Sequence, residues 1–180
     1  MKNRNYVRRS FFILMLLFLI SKAGIAQYHG GIGLRLGKFG SGITMKYFAN
    51  PSNASGFELM ILKTKIGRKG GWWIAPHYVY QMPFNVPLIQ LPLDFVAGAG
   101  IHIGYYPEEY YKIIDGFPKY YPDNTVAVGA DLLIALEYQV PIKSLPFVVG
   151  VEAQPFIEFI HKGPEFLDFG ITLKYVFNMD

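Results

Sequence analysis

Apolar and polar side chains alternate strictly on one segment after another. One face of these segments carries no charge, and the N-terminus reads basic, then apolar, then small. Together these features predict an all-β fold: an eight-stranded antiparallel up-and-down transmembrane β-barrel behind a cleavable signal peptide. The closing stretch from Phe166 to Phe177 shows the alternation most plainly. Leu167, Phe169, Ile171, Leu173, Tyr175 and Phe177 share one strand face, and Asp168, Gly170, Thr172, Lys174 and Val176 the other, because side chains alternate along a strand with a period of two.

Residues 1–26 read as the signal peptide. Lys2, Arg4, Arg8 and Arg9 precede an unbroken apolar run, Phe11–Ile20, and Gly24-Ile25-Ala26 places small residues before Gln27, the order of an export signal cleaved after Ala26. As a helix the run spans about 15 Å, roughly half the thickness of a hydrocarbon core, so a membrane anchor is the lesser alternative. Residues 27–180 then form one barrel domain. The formal charge of +4 belongs to the leader: beyond it stand 12 basic and 13 acidic side chains, a net of −1. A nucleic-acid partner is thereby excluded, because phosphate binding needs a concentrated basic surface. The chain has no Cys, hence no disulfide, thiolate metal site or lipid-modified Cys.

Gly, Pro and Asn clusters punctuate the rest. Strands are expected near Tyr28–Gly37, Gly42–Ala49, Gly56–Lys65, Trp72–Gln81, Leu93–Tyr106, Thr125–Gln139, Phe147–Ile160 and over the closing stretch. Lys38–Ser41, Asn50–Ser55, Ile66–Gly71, Val140–Pro146 and His161–Glu165 are turns. Met82–Pro92, with its three prolines, reads as a connection and not a central strand. Pro107–Asn124 reads as the longest loop. These strands match the roughly 9–11 residues that cross a membrane at the usual tilt and exceed the globular average of about 5–6. Closure follows because open edges would strand backbone amides in lipid.

The two faces decide which solvent each meets. Ile32, Leu34, Leu36, Ile43, Met45, Tyr47, Phe57, Leu59 and Ile61 begin an uncharged face. It continues through alternate residues of 93–103, 126–138, 147–159 and 167–177. Ile74, Tyr78 and Tyr80 suit the same face of the more ambiguous fourth strand. The opposite face carries Arg35, Lys46, Glu58, Asp94, His102, Asp131, Glu137, Glu152, Glu158, Asp168 and Lys174, and His77 if the fourth strand keeps phase. Seven acids against three bases do not make a dry apolar core; such groups pair or stay wet. They are expected to form a lumen charge network that fills a narrow bore and pins strand register, with a polar conduit or proton-responsive plug as the sharper alternative. Trp72, Trp73, Tyr105, Tyr106, Tyr175 and Phe177 are read as interface aromatics. Tyr110, Tyr111, Tyr120 and Tyr121 edge the long loop, as packing or as a partner-contact surface. Arg68 and Lys69 are candidate contacts for lipopolysaccharide phosphates, and otherwise solvated loop charges.

No catalytic, cofactor or metal site is expected. Ser41, Ser52, Ser55 and Ser144 sit in turns with no adjacent His, and His29, His77, His102 and His161 lack ligand spacing. The glycines recur at strand spacing and do not form a phosphate loop.

Gly31–Gly37 (GIGLRLG), Ser41–Phe48 (SGITMKYF), Phe95–Tyr106 (FVAGAGIHIGYY) and Val128–Tyr138 (VGADLLIALEY) follow in order, with VPIKSLPFVVGVEAQP and FGITLKYVF after them. Over most of residues 28–177 this series resembles the small outer-membrane β-barrel proteins of Bacteroidetes, similar in architecture to the OmpX, OmpA-barrel and OmpW-like group. Relatives often carry an acid in a Leu-Tyr-Glu context on the fourth strand, where this chain has His77-Tyr78-Val79. They usually end at the terminal aromatic, where Asn178, Met179 and Asp180 follow here. The resemblance implies residence in the cell outer membrane. The partners it implies are outer-membrane lipid and lipopolysaccharide, the barrel-assembly machinery, and other membrane proteins in a complex. The expected function is an integral outer-membrane barrel without turnover, structural, adhesive or a subunit of a larger complex. A narrow porin-like conduit is the alternative, and a soluble lipocalin-like carrier the third.

Overall fold

The computed structural model describes residues 28–50, 54–65, 69–86, 89–114, 117–140, 146–160 and 167–177. The expected signal peptide lies outside them. Ten strands are present among the described residues: β1 (Gly30–Gly37), β2 (Gly40–Asn50), β3 (Ser55–Thr64), β4 (Trp72–Val86), β5 (Ile89–Tyr106), β6 (Tyr110–Ile114), β7 (Phe117–Tyr121), β8 (Thr125–Gln139), β9 (Phe147–Ile160) and β10 (Leu167–Phe177). Eight of them close into one barrel in the order β1-β10-β9-β8-β5-β4-β3-β2. Every pairing is antiparallel, so this is the up-and-down barrel that the alternation predicts. The barrel closes where the first strand meets the last, from Gly30 opposite Phe177 to Gly37 opposite Gly170. Closure leaves no free edge along the paired wall.

Three connections differ from their sequence expectations. The first turn is tighter, because β2 already begins at Gly40 and only Lys38 and Phe39 lie outside the strands. The proline-rich stretch Met82–Pro92 is not a loop. β4 runs on to Val86 and β5 starts at Ile89, as an extended hairpin. Its prolines are tolerated for a physical reason. Pro83 lies beyond Tyr80, where β3 stops pairing with β4, and Pro92 lies before Leu93, where β8 starts pairing with β5, so each sits where its strand has at most one neighbour and a missing amide breaks no second ladder. The long loop contains a hairpin of its own, β6 paired with β7 from Tyr110–Tyr121 to Ile114–Phe117.

Burial alternates along the wall. In β10 the odd-numbered residues from Phe169 onward are exposed, while Asp168, Thr172, Lys174 and Val176 are buried. β4 keeps the phase of its neighbours, with Ile74 and Tyr78 outward and His77 inward. The outward surface therefore holds Leu34, Leu36, Phe57, Ile101, Leu132, Val151, Ile157, Phe169 and Ile171, all more than half exposed. This is the inverse of a water-soluble barrel of the same topology, whose apolar face lines the cavity.

Candidate functional site

All twelve predicted lumen groups point into the bore and are buried. Three clusters emerge among the described residues. Arg35 on β1 reaches Glu152 on β9 through Nε, and its Nη1 lies 2.8 Å from Asp168 on β10 and 2.8 Å from the Gly40 carbonyl. Asp168 in turn accepts the Phe39 amide at 2.7 Å. One guanidinium thus ties three strands to the β1–β2 turn. Space for it comes from Gly37 and Gly170, which face each other across the β1–β10 ladder. A Cβ on Gly170 would stand 3.0 Å from Cζ of Arg35 and 3.2 Å from Nε. The anchored guanidinium has no room to yield, so Gly170→Ala is expected to cost about 1–3 kcal/mol, as overpacking does. A urea titration of the folded barrel measures it.

The second cluster alternates two lysines with two glutamates. Lys46 on β2 lies 2.6 Å from Glu137 and 3.4 Å from Glu58. Lys174 on β10 lies 2.7 Å from Glu58 and 2.8 Å from Glu137. Thr44 donates to Glu58 at 2.6 Å and Tyr28 donates to Glu137 at 2.8 Å. Each cation touches both anions, an arrangement that repays part of the desolvation cost of burying four charges. The strands involved, β2, β3, β8 and β10, include walls on opposite sides of the barrel order, so the quartet spans the bore.

The third cluster centres on Asp131. His102 Nδ1 lies 2.8 Å from Oδ1, and His77 Nε2 lies 3.7 Å from Oδ2 and 3.2 Å from Gln154 Nε2. Tyr106 donates to Glu158 at 3.4 Å, and Gln81 Nε2 donates to Asp94 at 3.0 Å. Among the described residues no three His, Asp or Glu side chains are grouped to hold a metal ion.

Aromatic side chains bracket these ionic layers. At the end of the β1–β2 turn, Phe39, Trp73 and Phe156 pack with ring centroids 4.9–5.3 Å apart, and His102 lies 4.5 Å from Trp73. At the end holding the N-terminal segment and the last strand's terminus, Tyr28 packs edge-on against Phe48 at 5.7 Å.

Two expectations for the interface aromatics are corrected. Trp73 and Tyr106 are fully buried and face the bore. Neighbours in a strand point to opposite sides, so only one member of Trp72-Trp73 and one of Tyr105-Tyr106 can face outward. Trp72 and Tyr105 do so as a pair, 6.1 Å between rings, and Tyr105 donates to Asn124 at 2.9 Å. Tyr175 and Phe177 also face outward, Tyr175 against Phe147 at 5.9 Å. Sequence reasoning missed Phe39, Phe156, Tyr28 and Phe48. The parity of Phe156 with Glu152 and Glu158 was a usable signal; a turn residue such as Phe39 offers none. The side chains of Tyr110, Tyr111, Tyr120 and Tyr121, and all of Arg68, lie outside what is described. Ser41, expected in the turn, lies in β2, where its hydroxyl accepts the Gly37 amide at 3.3 Å.

The chain matches no family model, and no curated protein or solved structure is significantly similar to it. Architecture and bore chemistry alone define its class: a closed eight-stranded antiparallel barrel with an apolar exterior and an ionic interior.

Proposed function

We propose that this is an integral outer-membrane β-barrel of the small Bacteroidetes type, without catalytic turnover, serving as a structural or adhesive element or as a subunit of a larger membrane complex. One observation carries the reading. The outward face of all eight wall strands is apolar at mid-height, while every lumen charge is buried. In water such an exterior is untenable, because monomeric soluble proteins rarely expose contiguous apolar patches beyond a few hundred Å². In lipid it is the required surface. Height agrees: the twelve residue steps from Val126 to Tyr138 along β8 rise about 30 Å at a tilt near 40°, the thickness of a hydrocarbon core. Outward aromatics sit toward strand ends, as in interfacial girdles: Trp72 and Tyr105 at one end, Tyr47, Tyr175 and Phe177 at the other.

Even strand number puts both barrel ends of the chain on one side, where the His29 amide donates to the Phe177 carbonyl at 3.2 Å. In this reading that side is periplasmic, with the β6–β7 hairpin outside the cell. The export signal, the outer-membrane address and recognition of the closing aromatic strand by the assembly machinery belong to the same proposal.

The stacked aromatic and ionic layers favour a sealed barrel over a porin-like conduit, and the charged bore disfavours a lipocalin-like carrier for an apolar ligand. Detergent-extracted protein is expected to migrate on a gel differently before and after boiling, and to give no conductance steps in a planar bilayer. Unchanged migration together with solubility in detergent-free buffer would favour the carrier, and discrete steps the conduit.

A further inference from the structure

The aromatic seal at the outer end of the bore rests on an imidazole. His102 on β5 packs against two of its rings, 4.5 Å from Trp73 and 5.6 Å from Phe156, both nearly perpendicular to it. Its side chain is fully buried. Gly129, its partner across the β5–β8 ladder, leaves the space the ring fills: a Cβ there would stand 2.8 Å from His102 Nε2. The titratable groups around the ring come from every strand packed on it. Asp131 on β8 lies 2.8 Å from Nδ1, and Glu158 on β9 lies 3.9 Å from Nε2. His77 on β4 stands on the far side of Asp131, 3.7 Å from its second oxygen. Tyr106, also on β5, donates to the same Glu158 oxygen at 3.4 Å.

Each ring nitrogen therefore meets its own carboxylate. A neutral imidazole carries a proton on one nitrogen only. With that proton on Nδ1, Nε2 turns a lone pair toward Glu158 and has no hydrogen-bond partner among the described residues. With the proton on Nε2, Nδ1 sets a lone pair against Asp131 at hydrogen-bond distance. Only the imidazolium offers a proton to both. It also brings positive charge within the roughly 6 Å at which an aromatic ring attracts a cation, against Trp73 and Phe156 alike. His77 differs. The nitrogen it turns to Asp131 also meets Gln154 at 3.2 Å, and its Nδ1 has no hydrogen-bond partner among the described residues.

We infer that His102 is a proton lock on the outer seal: as the imidazolium it ties β5 to Asp131 on β8 and Glu158 on β9 beneath Trp73 and Phe156, and loss of its proton loosens the seal. The inference deepens the sealed-barrel reading and rests on it. The ring gains its two carboxylates only in the folded barrel, so the lock holds at acid pH and releases as pH rises. A charge-assisted hydrogen bond shifts such an equilibrium by about 10- to 100-fold, and that is the change expected in the population of the loosened seal.

The test uses the full chain, extracted from membranes and reconstituted in phosphatidylcholine vesicles. Trp72→Phe leaves Trp73, inside the seal, as the one tryptophan. Acrylamide quenching of Trp73 is read between about pH 5.5 and about pH 9, on either side of the ordinary imidazole value of about 6.5. The quenching constant is expected to rise about tenfold or more toward the alkaline end. It should be high at every pH in His102→Gln and follow the parent in His77→Gln. A second reading leaves His102 in place: His29→Gln/His77→Gln/His161→Gln makes it the sole imidazole of the chain. Its ¹⁵N spectrum should show both ring nitrogens protonated at the acid end, and one of them losing its proton where quenching rises. Low quenching at every pH, a parent-like profile in His102→Gln, or a ring still neutral at the acid end overturns the lock. The two failures are distinguishable. A Trp73 shielded at every pH refutes the lock and leaves the seal standing, and a Trp73 freely quenched at every pH in the parent refutes the sealed bore beneath it.

Discussion

Replacing Lys174 with Met should cost about 3–5 kcal/mol, the penalty for leaving a buried charge without its partner. Lys174 lies 2.7 Å from Glu58 and 2.8 Å from Glu137, and its side chain is almost wholly buried. Once it is removed, both carboxylates share Lys46 as their cation, and their side chains are only 1% exposed. Urea titration of the vesicle-reconstituted barrel measures the loss. A second substitution in the same background, Glu137→Gln, removes the uncompensated charge and should restore part of the stability. Residues in one ionic network are non-additive by roughly 0.5–3 kcal/mol. A loss below about 1 kcal/mol for Lys174→Met would show the quartet to be screened by water.

The second large effect lies on the other side of the wall. Leu132 stands at the midpoint of β8, 54% exposed, opposite Ala99 of β5. An arginine there should destabilise the barrel in a bilayer by about 2–4 kcal/mol, against about 0–1 kcal/mol for the same change near the interface at Val126. In a soluble carrier both positions are wet surface, and both substitutions would stay within about 0.5 kcal/mol of neutral. Comparing the two sites removes any shared effect of the arginine on the unfolded chain. Equal, small effects at both positions would contradict the membrane reading.

Much of the fold was legible because it rests on a single local rule. A period of two in the side chains sorts β1, β2, β3, β5, β8, β9 and β10 into an outer and an inner face without knowledge of their neighbours. The same rule found the inward charges. It could not say which charges meet. Arg35 and Glu152 are 117 residues apart, and they come together only because β10, lying between β1 and β9, closes the barrel in one register. Trp73 and Tyr106 were misplaced by composition: adjacent aromatics suggest a girdle, while the strand geometry sends one of each pair inward. The β4–β5 hairpin was hidden by its prolines, which forbid a central strand but not an arm with one neighbour. Phe39 was hidden by its place in a turn, where no periodicity applies. Its inward position follows from the hold of Asp168 on the turn amides at 2.7 and 3.3 Å.

Because the chain contains no Cys, single cysteines introduced along residues 167–177 and carrying nitroxide labels report the surroundings of each side chain directly in the vesicle-reconstituted barrel. The predicted result is a period-two profile: labels at 169, 171 and 173 are relaxed by oxygen dissolved in the acyl chains, and labels at 170 and 172 are shielded from both oxygen and a water-soluble nickel chelate. Relaxation of the labels at 169, 171 and 173 by the nickel chelate in place of oxygen would contradict the inverted barrel.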